Sequence, residues 1–351
     1  MLQKAAEAAN GLLLLCETLC MKSQQHSNHH GIQVMRMQQI TTASMLVAAT
    51  IWLVYFWPTA PAMAIWGSLA CLFGYSNVLA IEFFALALVN RSDPAPQASR
   101  QELLRAWWAE TCLAGKVFCW RQPFKANEVP DQLQGEHLLG QRGVVFIHGL
   151  ICNRGFWTPW LKQLRTKGVR QRAHAFTAIS LEPVFAGIDN YVEQIEKAVQ
   201  QVSQASGLPP ILVCHSMGGL AARAWLKRQT ETCRVHHVVT IGTPHHGTWL
   251  ARFAYGPSGR QMLQGSDWLR ELDEMLVTSG GEERVEKNSH PAALFTSWYS
   301  NCDNIVFPSS TARLPGANNR FVPGAAHLQL AFLPEVVQET LSMIMQKSKR
   351  R

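Results

Sequence analysis

Charged side chains are scarce in this sequence. Of its 351 residues, 16% are Asp, Glu, Lys or Arg and 47% are hydrophobic, whereas soluble domains average about 25% charged residues. The net charge of +8 is spread along the chain, apart from a basic tail at Lys347, Lys349, Arg350 and Arg351 that we interpret as solvated. No nucleic-acid motif or interleaving of basic and aromatic residues accompanies the charge, so we expect no nucleic-acid partner. The length suits one full α/β domain with appendages.

Metal-ligand spacings, phosphate loops and paired cysteines are absent as well. No H-x-x-x-H pair with a third ligand and no phosphate loop occurs, so we expect no metal or phosphate-bearing cofactor. His26, His29 and His30 lie in a Ser/Gln/Asn-rich segment, residues 1–40, which is predicted to be disordered rather than metal-binding. The nine cysteines are an odd number without framework spacing, which favours a reducing compartment.

Charge is missing almost completely from two neighbouring stretches. Residues 41–57 carry none, residues 58–61 interrupt the pattern with two prolines, and residues 62–89 contain only Glu82. Each stretch is near or above the roughly 17–25 residues that a membrane-spanning helix needs. Core helices or a signal peptide are the alternatives, but neither stretch has a polar stripe, and a signal peptide leaves the second unexplained. We predict two transmembrane helices within residues 41–90, with Glu82 near an interface or facing the other helix.

Basic residues flank this predicted hairpin but are absent from its connecting loop. They are Lys4, Lys22 and Arg36 before it and Arg91, Arg100 and Arg105 after it. The positive-inside rule therefore places both ends of the hairpin, and the domain that follows, in the cytoplasm.

Residues 91–142 are predicted to be a linker with an amphipathic helix. The first part is rich in Pro and Ser, and residues 101–119 have a helical pattern with Trp107, Trp108 and Trp120 nearby. Because tryptophan favours the lipid headgroup level, these rings either contact a membrane or pack on the following domain; the sequence leaves both open.

Short apolar strands alternate with helices from Gly143 onward, which predicts an α/β domain over residues 143–351 with a doubly wound, mostly parallel sheet. The predicted strands are residues 144–147, 173–179, 211–213, 235–241, 294–299 and 320–322. The interval at about 245–291 interrupts this alternation and is predicted to be a helical cap over the strand ends. Its amphipathic helix, near residues 263–276, either packs on the core or forms a lid over an apolar pocket.

A serine stands where one of these strands enters a helix, in Cys214-His215-Ser216-Met217-Gly218-Gly219. This pattern is typical of a nucleophile elbow, a strained turn that lifts a serine clear of the sheet. The usual first glycine of G-x-S-x-G is Cys214 here, a small residue that we expect to be tolerated. Ser216 is the candidate nucleophile, and an ordinary Ser–Gly turn is the alternative.

The loop after the first predicted strand is the candidate oxyanion hole. His148-Gly149-Leu150 forms a turn whose backbone N–H groups would face the serine. An oxyanion needs two such donors, and the N–H groups of Leu150 and Met217 are the candidates. We expect His148 to support the loop by hydrogen bonds.

An acid and a base follow two later strands. Asp303 lies where an orienting carboxylate belongs, although an Asp–Asn turn is an alternative. His327 lies in a loop of small residues before the last helix and is the candidate general base. The order Ser216, Asp303, His327 is the order of an α/β-hydrolase triad. His245 and His246, after a sharp turn at a strand end, are candidates for lining the pocket.

Five segments together resemble the bacterial triacylglycerol lipases and related esterases of the α/β-hydrolase superfamily. They are residues 146–150, 214–220, 241–248, 303 and 324–328, within a likeness that covers about residues 143–333. The resemblance implies that Ser216 is the nucleophile, Asp303 the acid, His327 the base, and Leu150 and Met217 the oxyanion donors. Two properties of secreted members are not expected here. Their calcium ligand two residues after the histidine is replaced by Gln329, and Cys302 has no obvious disulfide partner.

The sequence therefore predicts a membrane-anchored serine hydrolase that cleaves carboxylic esters, without cofactor or metal. The anchor and the apolar cap favour a lipid-like substrate. The protein would be a multi-pass protein of the bacterial inner membrane with a cytoplasmic catalytic domain. An acyltransferase or thioesterase with the same triad is the nearest alternative, and a non-catalytic membrane scaffold is the alternative from another class.

Overall fold

A computed structural model describes residues 32–170, 173–229, 234–254, 256–278 and 291–346. Within these ranges six strands form one sheet in which every neighbouring pair is parallel. They are β1 (Val144–Ile147), β2 (Phe176–Ala178), β3 (Ile211–His215), β4 (His237–Ile241), β5 (Phe295–Tyr299) and β6 (Asn318–Phe321). Their order across the sheet is β2-β1-β3-β4-β5-β6. The predicted parallel α/β sheet is thereby confirmed.

Helices precede the sheet and connect its strands. They are α1 (Ile32–Phe56), α2 (Pro61–Phe73), α3 (Tyr75–Val89), α4 (Arg100–Lys116), α5 (Gln122–Lys125), α6 (Thr158–Arg170), α7 (Val192–Ser206), α8 (Met217–Lys227), α9 (Pro257–Gln261), α10 (Asp267–Thr278), α11 (His327–Leu330) and α12 (Pro334–Met345). A π turn at Val117–Arg121 links α4 to α5. The predicted amphipathic helix over 101–119 corresponds to α4, which begins at a capping box between Ser99 and Glu102.

The core lies on both faces of the sheet, as in a parallel sheet covered by helices on each side. Successive strand residues point to opposite faces, so Val144 and Val145 enter different clusters. Helices α7 and α8 cover one face and helices α6 and α12 cover the other. This arrangement leaves the carboxyl ends of the strands together at one edge, where connecting loops meet.

The first helix begins earlier than the sequence indicates. Residues 32–40 were expected to be disordered, yet they belong to α1 because polar side chains tie them to the domain. Gln38 Nε2 donates to the Ile151 carbonyl (3.1 Å), and Gln39 Nε2 donates to the Pro123 carbonyl (2.7 Å). That part of the prediction is wrong. The remainder of the segment with its three histidines, and the basic tail, lie outside the described residues.

The second apolar stretch is not a single straight helix. It breaks at Gly74, where the axes of α2 and α3 differ by 57°. Among the described residues, α1 is the one helix that is long and apolar enough to cross a membrane, and α2 with α3 is a second candidate only if the bent pair counts as one span. Helix α2 packs on α1, whereas α3 packs on the domain and buries Phe83 and Leu86. The predicted hairpin of two spanning helices is therefore not confirmed.

The predicted cap region packs on the core over its described part. Helix α10 buries Leu269 and Leu272 in the same cluster as α7 and α8. Asp273 Oδ1 accepts a hydrogen bond from Arg223 Nη2 of α8 at 2.7 Å. Of the two alternatives for the amphipathic helix, packing on the core is the one observed. Residues 279–290, the end of the predicted cap, lie outside the described residues.

Candidate active site

Ser216 occupies a strained turn between β3 and α8. Its backbone angles, φ 55° and ψ −130°, fall in a region that residues with a Cβ rarely adopt and that costs about 1–3 kcal/mol. Neighbouring groups hold this conformation: the Ser216 amide donates to the Ile241 carbonyl (2.9 Å), and the Ser216 carbonyl accepts from Thr243 Oγ1 (2.9 Å). The geometry is that of the predicted nucleophile elbow.

Two glycines allow the elbow to sit tightly against β1. A Cβ on Gly218 would lie 2.6 Å from the carbonyl oxygens of Ile147 and His148, and a Cβ on Gly149 would lie 2.7 Å from the Ser216 Cβ. Neither glycine can be replaced without moving backbone. By contrast, Cys214 is fully buried in β3 and its side chain joins the core, which explains why the position tolerates a side chain.

The loop after β1 is held by His148. The Leu181 amide donates to His148 Nε2 (3.0 Å), so the ring proton lies on Nδ1, which is 2.8 Å from the Gly149 carbonyl oxygen. Burial lowers the pKa of His148 to about 4, and the ring is neutral at ordinary pH. The loop support expected of this histidine is what these hydrogen bonds provide.

Two backbone N–H groups near the serine are left without a protein partner. Within the described ranges, neither the Leu150 amide nor the Met217 amide donates a hydrogen bond to another residue. Met217 is the first residue of α8, where an unpaired N–H group is inherent to a helix. Both amides are therefore available to an anionic oxygen, as an oxyanion hole requires.

His327 and Asp303 form a buried pair at the ends of β6 and β5. His327 Nδ1 lies 2.9 and 3.0 Å from the two Asp303 carboxylate oxygens. Asp303 Oδ1 is fixed in turn by the amides of Ile305 (3.0 Å) and Val306 (2.8 Å). Because Nδ1 donates to the carboxylate, Nε2 of the neutral ring is the nitrogen left to accept a proton.

The surroundings make His327 a stronger base than an ordinary histidine. Burial by itself lowers the pKa of the ring, but Asp303 raises it by charge and hydrogen bonding, and Glu110 and Glu82 add further negative charge. The net effect is a raised pKa for His327. A raised pKa stabilises the imidazolium that forms when the ring accepts a proton.

Ser216 and the His327–Asp303 pair lie at the same edge of the sheet. The His327 ring lies beside that of His215, the neighbour of Ser216, with centroids 4.6 Å apart. Gly242 lies between the elbow and the His327–Asp303 pair. The Ser216 amide is bonded to the carbonyl of the preceding Ile241, and a Cβ on Gly242 would lie 3.2 Å from His327 Nδ1 and 2.9 Å from Asp303 Oδ2. No hydrogen bond joins Ser216 Oγ to His327 in the part of the chain that the structure describes, and such contacts often tighten only with substrate.

Other histidines near the site have structural roles. The His215 ring stacks on that of Phe156, and His215 Nε2 lies 3.2 Å from the His327 carbonyl oxygen. Burial lowers the pKa of His215 and of His245 well below the usual value. His245 is fully buried against Thr240, and only His246 is partly exposed. The proposal that both line a pocket is therefore wrong for His245, because the turn at Gly242 directs its ring into the core.

Comparison with known proteins identifies the family. The profile described as the alpha/beta hydrolase family matches residues 144–337, more than half of the chain. The chain belongs to the alpha/beta hydrolase family. The membership of the α/β-hydrolase superfamily that the sequence resemblance implies is thereby confirmed.

Lipases are among the solved structures that resemble this hydrolase. Lipase B of Aspergillus fumigatus matches with a TM-score of 0.51 and 15% identity over 78% of this chain and 82% of that one. A mature lipase of Bacillus licheniformis (0.48, 17%, 59% and 93%) and a monoacylglycerol lipase of Paleococcus ferrophilus (0.43, 14%, 60% and 97%) also match. At these identities the likeness concerns the fold.

Two carboxylates beside His327 were not foreseen as parts of the hydrolase site. Glu110 on α4 is buried against the first turn of α11, and Glu82 on α3 accepts a hydrogen bond from Asn304 Nδ2 (2.7 Å). Glu82 thus faces the catalytic domain and not the other apolar helix, which was one of the two expected alternatives. A signal for Glu110 was present: it lies at helical spacing between the buried Ala106 and Ala114.

The positions that set this hydrolase apart from secreted lipases have local explanations. Gln329, in the place of a calcium ligand, accepts a hydrogen bond from the Ala326 amide through Oε1 (3.2 Å) and caps the turn that carries the base. Cys302 is a free thiol packed against Phe83 and Ala106. Among the described residues no cluster of three or more His, Cys, Asp or Glu side chains is arranged to hold a metal ion.

Proposed function

We propose that this protein hydrolyses carboxylic esters, with Ser216 as nucleophile, His327 as general base and Asp303 as the residue that orients the base. The observation that carries the proposal is the strained backbone of Ser216 at the end of β3, at the edge of the sheet that also holds a histidine bound through Nδ1 to a buried carboxylate. An ordinary Ser–Gly turn has no need of that strain, which persists only where surrounding structure enforces it.

The first half of the reaction forms an acyl-enzyme. His327 Nε2 accepts the Ser216 hydroxyl proton as Oγ attacks the ester carbonyl carbon, and the carbonyl oxygen becomes an oxyanion. The amides of Leu150 and Met217 donate hydrogen bonds to that oxyanion. The tetrahedral intermediate then collapses: the bond to the alkoxy oxygen breaks, and the imidazolium returns its proton to the leaving alcohol.

Water completes the cycle by the same steps. His327 accepts a proton from water, the hydroxide attacks the acyl carbon, and the protonated ring restores the hydrogen to Ser216 as the carboxylic acid leaves. Asp303 stabilises the charged ring in both halves. The raised pKa of His327 favours this proton uptake.

Attachment to a membrane through α1 and α2 is the second part of the proposal. Beyond residue 40 both helices expose large apolar side chains, including Val54 (66%) and Trp66 (71%). Residues 41–56 of α1 are roughly 24 Å long at 1.5 Å per residue, shorter than a hydrocarbon core of about 30 Å. We therefore propose that the hairpin dips into the bilayer from the side of the catalytic domain, which the flanking basic residues assign to the cytoplasm.

Aromatic side chains outside the hairpin support this arrangement. Trp108 and Trp120 are about three-fifths exposed, at 62% and 60%, whereas Trp107 packs inward and donates to the Ser76 carbonyl (3.0 Å). Exposed tryptophans suit the headgroup level of a membrane. An enzyme held at that surface meets esters that partition into lipid, so we propose a lipid-like substrate.

The test uses the full chain in detergent with short- and long-chain nitrophenyl esters and an acyl thioester. Wild type is expected to hydrolyse the esters. Ser216→Ala should lose this activity while keeping its melting temperature. Ser180→Ala, at a comparably buried serine, should keep the activity, although it loses the hydrogen bond that Ser180 Oγ accepts from the Arg154 amide (3.1 Å). Faster cleavage of the thioester, or acyl transfer to an added alcohol in preference to water, would favour the thioesterase or acyltransferase alternative. No turnover of any substrate would favour the scaffold.

A further inference from the structure

Carboxylates from two N-terminal helices reach the loop that carries His327. Glu110 Oε1 accepts a hydrogen bond from the Leu328 amide (2.8 Å), and Oε2 accepts one from the Gln329 amide (3.2 Å). Glu82 binds Asn304, whose Oδ1 accepts from the His327 amide (3.3 Å). The backbone on both sides of the base is therefore held from outside the α/β domain.

Burial of the Glu110 carboxyl group at this position carries a high desolvation cost. Glu110 is 2% exposed and lies in a stripe whose other members include Ala106 and Ala114, so an apolar side chain would pack there without loss of hydration. Burial raises the pKa of its carboxyl to about 7, against the two amide hydrogen bonds and the nearby His327, which lower it. A buried carboxylate with both oxygens on the turn of the base is arranged to act on that base.

We propose that Glu110, assisted by Glu82 through Asn304, is a positioning residue of the triad. It fixes the first turn of α11 so that the His327 ring stays between Asp303 and Ser216. The two carboxylates also add negative charge that stabilises the imidazolium formed when His327 accepts the Ser216 proton. This inference rests on the proposed ester hydrolysis, and Glu110 itself does not contact the substrate.

The charged and titratable groups around the His327 ring determine the pKa that a pH profile of kcat/KM will report. Asp303 is hydrogen-bonded to the ring, Glu110 and Glu82 contribute charge from α4 and α3, and His215 packs against it as a buried neutral ring. The ring thus faces three carboxylates and one uncharged imidazole. When Glu110 or Glu82 is ionised it raises the pKa of His327, so removing either charge is expected to lower that pKa and to move the acidic limb of kcat/KM to lower pH.

Glu110→Gln tests the proposal because it keeps the shape of the side chain, removes the charge and turns an NH2 group toward one of the two backbone amides. We expect kcat for a short-chain nitrophenyl ester to fall about 10- to 100-fold, the loss typical of a misplaced catalytic group. KM should change less than twofold, and the acidic limb should move down by roughly half a pH unit or more.

Glu196→Gln is the matched control. Glu196 on α7 is partly buried, with 20% of its side chain exposed, and accepts hydrogen bonds from Trp225 Nε1 (2.8 Å) and Arg234 Nη2 (2.6 Å) on the far side of α8 from His327. E196Q should lower the melting temperature and leave kcat and the limb unchanged. A folded E110Q with wild-type kcat and limb would overturn the positioning role.

Glu82→Gln decides the matter if E110Q does not fold, since its amide oxygen can still accept from Asn304. The acidic limb of E82Q is expected to move to lower pH, and a limb at the wild-type position would overturn the proposal. An inactive wild type would contradict the proposed ester hydrolysis instead. An active wild type with an unaffected variant would contradict the positioning role alone.

Discussion

Replacing Ser216 by glycine should leave the folded hydrolase more stable than replacing it by alanine. Both substitutions remove the hydroxyl group, which has no hydrogen-bond partner among the described residues, so that loss is common to the two variants. They differ at the Cβ atom. Alanine keeps a Cβ at φ 55° and ψ −130°, whereas glycine adopts these angles without steric cost.

The size of the difference follows from two opposing terms. Relief of strain is worth about 1–3 kcal/mol, and the greater freedom of glycine in the unfolded chain costs about 0.5–1 kcal/mol. The difference between these terms leaves a net gain of about 0–2.5 kcal/mol in the free energy of unfolding, centred near 1 kcal/mol. For a domain of 150–250 residues, a gain of about 1 kcal/mol corresponds to a melting temperature roughly 2–4 °C higher for S216G than for S216A.

Thermal unfolding of both variants in the same detergent measures the difference. Ser203, a helical residue within α7, supplies the control pair. There glycine should be less stable than alanine by about 1 kcal/mol, because helix propensity is the main difference. If S216G were less stable than S216A by a similar margin, Ser216 would be unstrained in the protein, and the elbow geometry would be refuted.

Three other substitutions test the oxyanion loop, the Asp303–His327 pair and the membrane contact, one each. Gly149→Ala should lower kcat about 10²–10³-fold, because the added Cβ would lie 2.7 Å from the Ser216 Cβ and displace an oxyanion donor. An unchanged kcat would contradict this. Asp303→Asn should lower kcat on the order of 10³–10⁴-fold. Loss of the carboxylate that raises the pKa of the histidine should also shift the acidic limb of kcat/KM to lower pH, and an upward shift would count against the pair. Trp66→Glu should reduce co-flotation with anionic lipid vesicles without changing ester hydrolysis in detergent. The equally drastic Phe185→Glu, on the catalytic domain, should float as wild type, and equal loss in both would argue against a hairpin-specific membrane contact.

The sequence predicts much of the active site because a parallel sheet brings the carboxyl ends of its strands to one edge. Ser216, Asp303 and His327 each come after the carboxyl end of a strand in the parallel sheet, so strand positions alone suggest that they lie at the same edge. An HG turn beside a nucleophile also predicts the close contact between Gly149 and the elbow. The distance of that contact cannot be predicted from the sequence.

The N-terminal helices were predicted less well because their positions depend on partners far away in the chain. Gln38 binds Ile151, and Glu110 binds the backbone at Leu328, contacts that no local pattern encodes. The break at Gly74 separates α2, which packs on α1, from α3, which packs on the domain. Composition shows that Glu82 is the one charge in its stretch, but not that Asn304 accompanies it.

Covalent labelling shows whether Ser216 is an activated nucleophile. The full chain is treated with a fluorophosphonate, which reacts with activated serines, and the modified peptide is identified by mass spectrometry. We expect one phosphonate adduct, on Ser216. It should form much more slowly in His327→Ala and be absent in Ser216→Ala. Ester hydrolysis that survives in Ser216→Ala, or a folded wild type whose Ser216 stays unmodified, would contradict this expectation.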